Sequence, residues 1–302
     1  MIIPKPDTYV VTGPTSGIGR CAAIELSAHG TVILVGRDRR KLEDVRKQIE
    51  HLGRQAFAVV CDLSDPANVR RAAEEIIALD LPITGILNNA GVMLTKARQN
   101  ALGWDMTFAT NHLGPFALTE ALVPHLPDGA NVVFVASGIE DPERPTVKVM
   151  RLRGGRYISA AASARGEWES PGSKISGMDA YATSKQCNLA AALALARALP
   201  RLRVNAIEPG INPATGLGGA NGFMRFLFGH IITRLPPFRR YRSTPDRAAR
   251  VITSVVTNQN GGTGIYYDQA GRPMQGSEQA RDPAFQDRVL AETRAFLSTA
   301  AA

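Results

Sequence analysis

Hydrophobic and polar positions along the chain alternate in a regular rhythm. Short apolar runs rich in β-branched residues stand at TYVVT (8–12), TVILVG (31–36), QAFAVV (55–60), GILN (85–88) and NVVFVAS (131–137). Between them lie longer stretches with helical spacing, at about 18–29, 39–52, 66–79 and 104–125. Short apolar runs bounded by turn signals read as strands buried on both faces, and a 3.6-residue period reads as an amphipathic helix. The rhythm breaks after Ser137 and resumes with a helix at about 179–199, a strand LRVNAI (202–207) and a helix at about 245–257. A last strand, TGIYYD (263–268), precedes a helix at about 283–297.

Buried strands alternating with helices predict an α/β fold: a single-domain, doubly wound, Rossmann-type parallel sheet with helices on both faces. One domain is expected over residues 1–302, with an insertion at about 138–179 and a substrate lid at about 211–242. The insertion, with stretches such as RPTVKVMRLRGGRY and SPGSKISG, is basic and aperiodic and has too few apolar residues for a core of its own.

Composition narrows the function classes. A chain of 302 residues, 44% hydrophobic and 21% charged, can bury a sizeable core. No run approaches the roughly 20 apolar residues needed to span a bilayer. The start, MIIPKPDTYVVTG, lacks a basic region followed by an apolar core, so export is not expected and a cytoplasmic location is. Cys21, Cys61 and Cys187 have no paired spacing and read as reduced thiols; no metal site is expected. The net charge of +8 gathers at Arg37, Arg39, Arg40 and Lys41 and again at Arg234, Arg239, Arg240 and Arg242. No basic ribbon with interleaved aromatics accompanies these clusters, so nucleic acid is not the expected partner. A phosphate-rich cofactor or an anionic membrane surface accounts for them better.

The phosphate chemistry has a candidate location. TGPTSGIGR (12–20) joins the first strand to the first helix. Gly13 permits a turn with unusual dihedrals, Gly17 lets backbone approach a pyrophosphate, and Gly19 allows close helix packing. The helix N-terminus adds free N–H groups and partial positive charge. The glycine spacing is GxxxGxG rather than the common GxGxxG. Where an acidic residue would read a ribose 2′-hydroxyl, the second strand ends Val35-Gly36-Arg37. An arginine there suits a 2′-phosphate, which favours NADP(H) over NAD(H). Asp62 is placed to accept from an adenine amino group or to start a helix, and Asn88-Asn89-Ala90-Gly91 puts small residues at the end of the fourth strand.

The chemical end is carried by Asn111, Ser137, Tyr181 and Lys185. Tyr181 and Lys185 are one helical turn apart on one face. Taken alone, such a pair is more often a surface accident. Together with TGPTSGIG, Asp62-Leu63, NNAG, Asn111 in TNHLG, Ser137 in VASG, YATSK and Glu208-Pro209-Gly210, it resembles the short-chain dehydrogenase/reductase family over roughly residues 8–210. The later segments are similar in arrangement to its retinol-dehydrogenase-like and protochlorophyllide-reductase-like branch.

The resemblance implies a catalytic tetrad of Asn111, Ser137, Tyr181 and Lys185, and an NADP(H) site at Gly13, Thr15, Ser16, Gly17, Ile18, Gly19, Arg37, Asp62, Leu63, Asn89, Ala90, Gly91, Tyr181, Lys185, Pro209 and Gly210. Tyr181 would exchange the proton, its lysine neighbour and the positive charge of the oxidised nicotinamide together favouring the phenolate. Ser137 would bind the substrate oxygen, Lys185 the nicotinamide ribose, and Asn111 a water or helix bend. Thr215 is a candidate carboxamide contact. The implied activity is hydride transfer between NADP(H) and a carbonyl/alcohol pair, with a lipophilic small molecule as substrate and a homo-oligomer as an implied assembly. Two alternatives stay open: a non-catalytic dinucleotide-binding sensor or scaffold, and a double-bond reductase. The apolar, basic-ended 223–240 segment reads either as a lid or as a peripheral membrane contact.

Overall fold

A computed structural model describes residues 6–212 and 232–300. The expected Thr215 contact and residues 223–231 of the apolar segment therefore lie outside the described residues. The first six strands are β1 (Thr8–Thr12), β2 (Thr31–Gly36), β3 (Ala56–Val60), β4 (Ile83–Asn88), β5 (Asn131–Val135) and β6 (Arg203–Ile207), followed by two short ones, β7 (Tyr266–Tyr267) and β8 (Pro273–Met274). They form one sheet in the order β3-β2-β1-β4-β5-β6-β7-β8, parallel throughout except for the antiparallel β8 at the edge. The order reverses between β1 and β4, and in open α/β sheets ligands bind outside the carboxyl ends of the strands at such a switch point.

Near-continuous apolar strands are required because both faces are covered. Tyr9 and Val11, Val32 and Leu34, and Val133 and Val135 pack on one side, against helices α1 (Gly17–Leu26), α2 (Arg39–His51) and the helix Pro245–Val256. Val10, Ile33, Val35, Val132 and Phe134 pack on the other, against α3 (Pro66–Ala78), α5 (Gly114–Leu122) and α8 (Ser176–Ala198). The helix starts are written locally. Asp38 accepts from the Lys41 N–H to cap α2, Asp65 caps α3 ahead of Pro66, and Thr244 caps the helix that opens with Pro245.

The long helix expected at 104–125 is broken into α4 (Met106–Phe108), a π-helical turn (Ala109–Leu113) and α5. Residues 138–179 hold a 3₁₀ turn (Gly138–Glu140) and two short helices, α6 (Pro145–Val149) and α7 (Ala160–Arg165). This region packs outward-in. The Tyr157 hydroxyl donates to Glu292 at 2.7 Å and its ring meets Phe285 edge-on, fastening the segment to the C-terminal helix Pro283–Ala300. Cys61 and Cys187 are buried and Cys21 is half-buried, and all three are free thiols. Among the described residues no helix is long and apolar enough to cross a membrane.

Candidate active site

The glycine turn sits at the switch point and is held from β4. Gly13 and Gly17 have φ of 68° and 53°, a backbone region that favours glycine. A Cβ on Gly19 would stand 2.2 Å from the Gly13 carbonyl oxygen, so Gly19 is small because the turn folds back onto α1. Asn89 braces the turn: its Nδ2 donates to the carbonyls of Thr12 (3.0 Å) and Gly13 (3.3 Å). The Thr12 hydroxyl in turn accepts from the Asn89 and Ala90 N–H groups, both at 3.0 Å. The asparagine expected among cofactor contacts thus spends its amide on shaping the glycine turn.

Several expected contacts resolve into backbone or side-chain roles. Ser16 precedes α1 with an exposed side chain that caps nothing, so the first N–H groups of the helix remain available. The Ile18 side chain is buried in the core beneath the turn, which leaves only its backbone to face a ligand. Arg37 follows β2 directly, is exposed, and has no hydrogen-bond or ion-pair partner among the described residues. The neighbouring carboxylate is turned away: Asp38 accepts from the Lys41 N–H and lies 3.6 Å from its ammonium. Asp62 Oδ1 accepts from the Ser64 N–H and hydroxyl, while Leu63 is buried where Gly114 of α5 presses on it. These features, a braced positive-φ turn, an uncapped helix N-terminus and a free guanidinium past β2, fit a phosphorylated dinucleotide.

The chemical group converges two strands away. Lys185, buried on α8, donates from Nζ to the Val135 carbonyl at the end of β5 at 2.8 Å. Its Nζ lies 5.7 Å from the ring centre of Tyr181, and a Cβ on Gly91 would sit 3.6 Å from Nζ and 3.4 Å from Asn111 Oδ1. Ser137, two residues beyond β5, caps the 3₁₀ turn, and its hydroxyl faces Tyr181 closely enough to oppose the effect of burial on the phenol. Asn111 is fully buried in the π-helical turn. Its amide accepts from the Val92 N–H (2.7 Å) and donates to the Val92 carbonyl (2.9 Å) and the Ser184 hydroxyl (3.1 Å). Asn188 Nδ2 donates to the Asn111 carbonyl at 2.9 Å, tying the widened turn to α8.

Burial sets the protonation of the pair. It pushes the Tyr181 phenol up to about 12; the Ser137 hydroxyl opposes this and the Glu208 carboxylate adds to it. Burial also pushes the Lys185 ammonium down to about 8. Desolvation dominates both groups, so the lysine by itself does not draw the phenol down; the expected phenolate drew also on the charge of an oxidised nicotinamide.

Two residues the sequence did not single out, Arg144 and Glu140, complete the surroundings together with Glu208. Arg144 and Glu208 form an ion pair at 2.7 Å with side chains 10% and 6% exposed. Glu140 is fully buried, accepting from the N–H (2.8 Å) and hydroxyl (2.5 Å) of Ser277. Arg144 and Glu140 lie in or beside an aperiodic stretch and their partners are distant in the chain, so no local pattern announces them. Pro209 and Gly210 follow β6, and Gly210 has a φ of 76° with the Tyr241 carbonyl packed against it.

A doubly wound sheet with a braced glycine turn at its switch point, and a serine, tyrosine and lysine converging beyond β5, defines a dinucleotide-dependent oxidoreductase class. Comparison with known proteins gives the family. A family model described as short chain dehydrogenase matches residues 7–149. The chloroplastic short-chain dehydrogenase TIC 32 A of Brassica napus is 30% identical over 254 residues, 80% of this chain and 73% of that protein. Human retinol dehydrogenase 11 is 38% identical over 133 residues, 42% of each chain. A Shigella flexneri short chain dehydrogenase solved with NADP is 28% identical with a TM-score of 0.63, covering 88% of this chain and 97% of that one. The chain belongs to the short-chain dehydrogenase/reductase family of oxidoreductases.

Proposed function

We propose that this protein is an NADP(H)-dependent oxidoreductase that interconverts a lipophilic carbonyl and its alcohol. The observation that carries the reading is the convergence of the Ser137 and Tyr181 hydroxyls with a Lys185 anchored on Val135, at the carboxyl end of the sheet. The glycine turn and α1 N-terminus hold the pyrophosphate, Arg37 the 2′-phosphate, and Lys185 the nicotinamide ribose. The bound cofactor supplies or takes up the hydride.

The chain's own residues handle the proton. Burial keeps Tyr181 protonated at neutral pH, as a proton donor to a carbonyl oxygen must be. Ser137 donates a hydrogen bond to the same oxygen and steadies the charge that develops there. Lys185, brought down to about 8, holds or releases a proton within the physiological range and can resupply the phenol. Asn111 fixes the π-helical turn against Val92 and Ser184, keeping the α8 face in register. A lipophilic substrate accords with two relatives whose names specify such alcohols, human retinol dehydrogenase 11 and human polyprenol dehydrogenase.

The test is NADPH oxidation against aliphatic, isoprenoid and steroid carbonyls, with NADPH fluorescence as an independent measure of binding. Binding without turnover on the whole panel would favour the sensor reading. A second reading concerns the mouth of the site. Arg234, Leu235, Arg239, Arg240 and Arg242 are all exposed, and this mixture of cations with an apolar side chain suits contact with an anionic bilayer. Salt-sensitive co-sedimentation with phosphatidylserine vesicles, absent with neutral vesicles, is the expected result.

A further inference from the structure

The segment 138–179 reaches the site through one side chain. Arg144 is buried beside the 3₁₀ turn that Ser137 begins, where a Cβ on Gly138 would overlap its guanidinium. One nitrogen donates to Glu208 Oε1 at 2.7 Å, and Glu208 is the residue that precedes Pro209-Gly210. The guanidinium also lies over the Tyr241 ring, 4.1 Å from its centre. Tyr241 belongs to the stretch that returns from the 213–231 region to the body of the protein. The two sides of that region meet at the same place: the Ile211 N–H donates to the Tyr241 carbonyl at 2.7 Å, and the Ser243 N–H donates to the Ile211 carbonyl at 3.0 Å.

We propose that Arg144 is a positioning residue, a clamp that fixes the Ser137 turn and both flanks of the 213–231 region around the carbonyl-binding side of the site. The proposal rests on the oxidoreductase reading above and adds to it the part played by residues 138–179. Three features require an arginine in this position. The planar guanidinium hydrogen-bonds a carboxylate with its edge while its face covers an aromatic ring, which a lysine ammonium does not reproduce. The absence of a side chain at Gly138 makes room for it. Glu208 Oε2 is buried without a hydrogen bond, so Arg144 is the cation that balances this carboxylate. The glycine turn and Arg37 lie across the sheet on β1 and β2, outside the reach of the clamp.

The experiment compares the parent protein with Arg144→Met and with the double variant Arg144→Met/Glu208→Gln. Removing Arg144 alone strands a buried carboxylate and lowers thermal stability; removing both charges recovers most of that loss. Neither variant regains the clamp. Both are expected to bind NADPH within about twofold of the parent and to lose about tenfold or more in kcat/KM for the carbonyl substrate. Both are also expected to show faster hydrogen exchange at the Ile211 and Ser243 amides. A double variant with parent-like kcat/KM would reduce the pair to a stability element and overturn the proposal, as would parent-like exchange at those two amides. The exchange measurement separates the two levels: if the parent turns over no carbonyl but exchange quickens in both variants, the oxidoreductase reading fails and the clamp stands.

Discussion

The proposed phosphate end and the proposed chemical end of this site are built on different principles. From β1 to β4 the site is made of backbone: positive-φ glycines, an uncapped helix N-terminus, and an asparagine amide spent on the Thr12 and Gly13 carbonyls. From β5 onward it is made of buried and half-buried side chains whose protonation is set by their surroundings: Tyr181, Lys185 and Glu208. A backbone site recognises what many ligands share, since any diphosphate presents the same oxygens. A site of buried titratable side chains is tuned to one reaction, and small changes around it alter the chemistry without altering the fold.

The sharpest way to separate the two ends is Tyr181→Phe. It removes the proposed proton donor and leaves the glycine turn untouched, so carbonyl reduction should fall about a thousandfold while NADPH affinity stays within a few-fold. Steady-state kinetics alongside NADPH fluorescence check this, and a variant that keeps a tenth of parental turnover would break the division. The converse variant is Gly19→Ala. Its Cβ would stand 2.2 Å from the Gly13 carbonyl and 2.4 Å from Asn89 Nδ2, so the turn must open. NADPH affinity should drop at least a hundredfold, read by the same fluorescence titration. Unchanged affinity would mean that the turn is not the phosphate site.

The same contrast explains what could be read in the sequence. Strands β1 to β6 and their helices were legible to within a few residues because burial on two faces imposes continuous apolar runs. Gly13, Gly17 and Gly19 were legible because steric demands on a tight turn admit little else. Tyr181 and Lys185 were visible as a pair one helical turn apart, but their protonation was not: that depends on desolvation, which no spacing encodes. The Arg144–Glu208 pair spans 64 positions and was invisible for the reason that salt bridges between distant segments generally are. At the π-helical turn Ala109–Leu113 a bend at Asn111 was among the implied roles, but its partners were not legible: Asn111 reaches to Val92 and to Ser184 of α8, and Asn188 of α8 donates to the Asn111 carbonyl, which Pro115 four residues on has no N–H to serve.

Cofactor choice tests how far the backbone end depends on a single side chain. Arg37 is exposed after β2 while Asp38 is occupied in capping α2. Replacing Arg37 by alanine removes a charge-assisted contact of about 2 kcal/mol, roughly a thirtyfold weakening for NADPH, and should leave NADH affinity nearly unchanged. Parallel titrations with the two cofactors measure the ratio. Equal losses for both would move the 2′-phosphate contact to another residue.

Glu140 offers the finest test, because it acts on stability rather than on turnover. Burial pushes its carboxyl up to about 7, against the opposing hydrogen bonds from Ser277 and the pull of Arg144. A folded-state value above that of the unfolded chain means that the folded protein binds the proton more tightly. Its contribution is therefore greatest below about pH 4.5 and is lost as pH rises through 7. Between pH 5 and 7 the linkage amounts to about 2 kcal/mol of lost stability. In Glu140→Gln the amide oxygen still accepts from the Ser277 N–H and its NH₂ can donate to the Ser277 hydroxyl, but nothing titrates. Urea unfolding of parent and variant across this range should show their stability difference growing with pH in favour of the variant, with the contributions of groups common to both cancelling. A difference that stays flat would mean that Glu140 remains ionised throughout, held by Ser277 and Arg144 more firmly than burial opposes it.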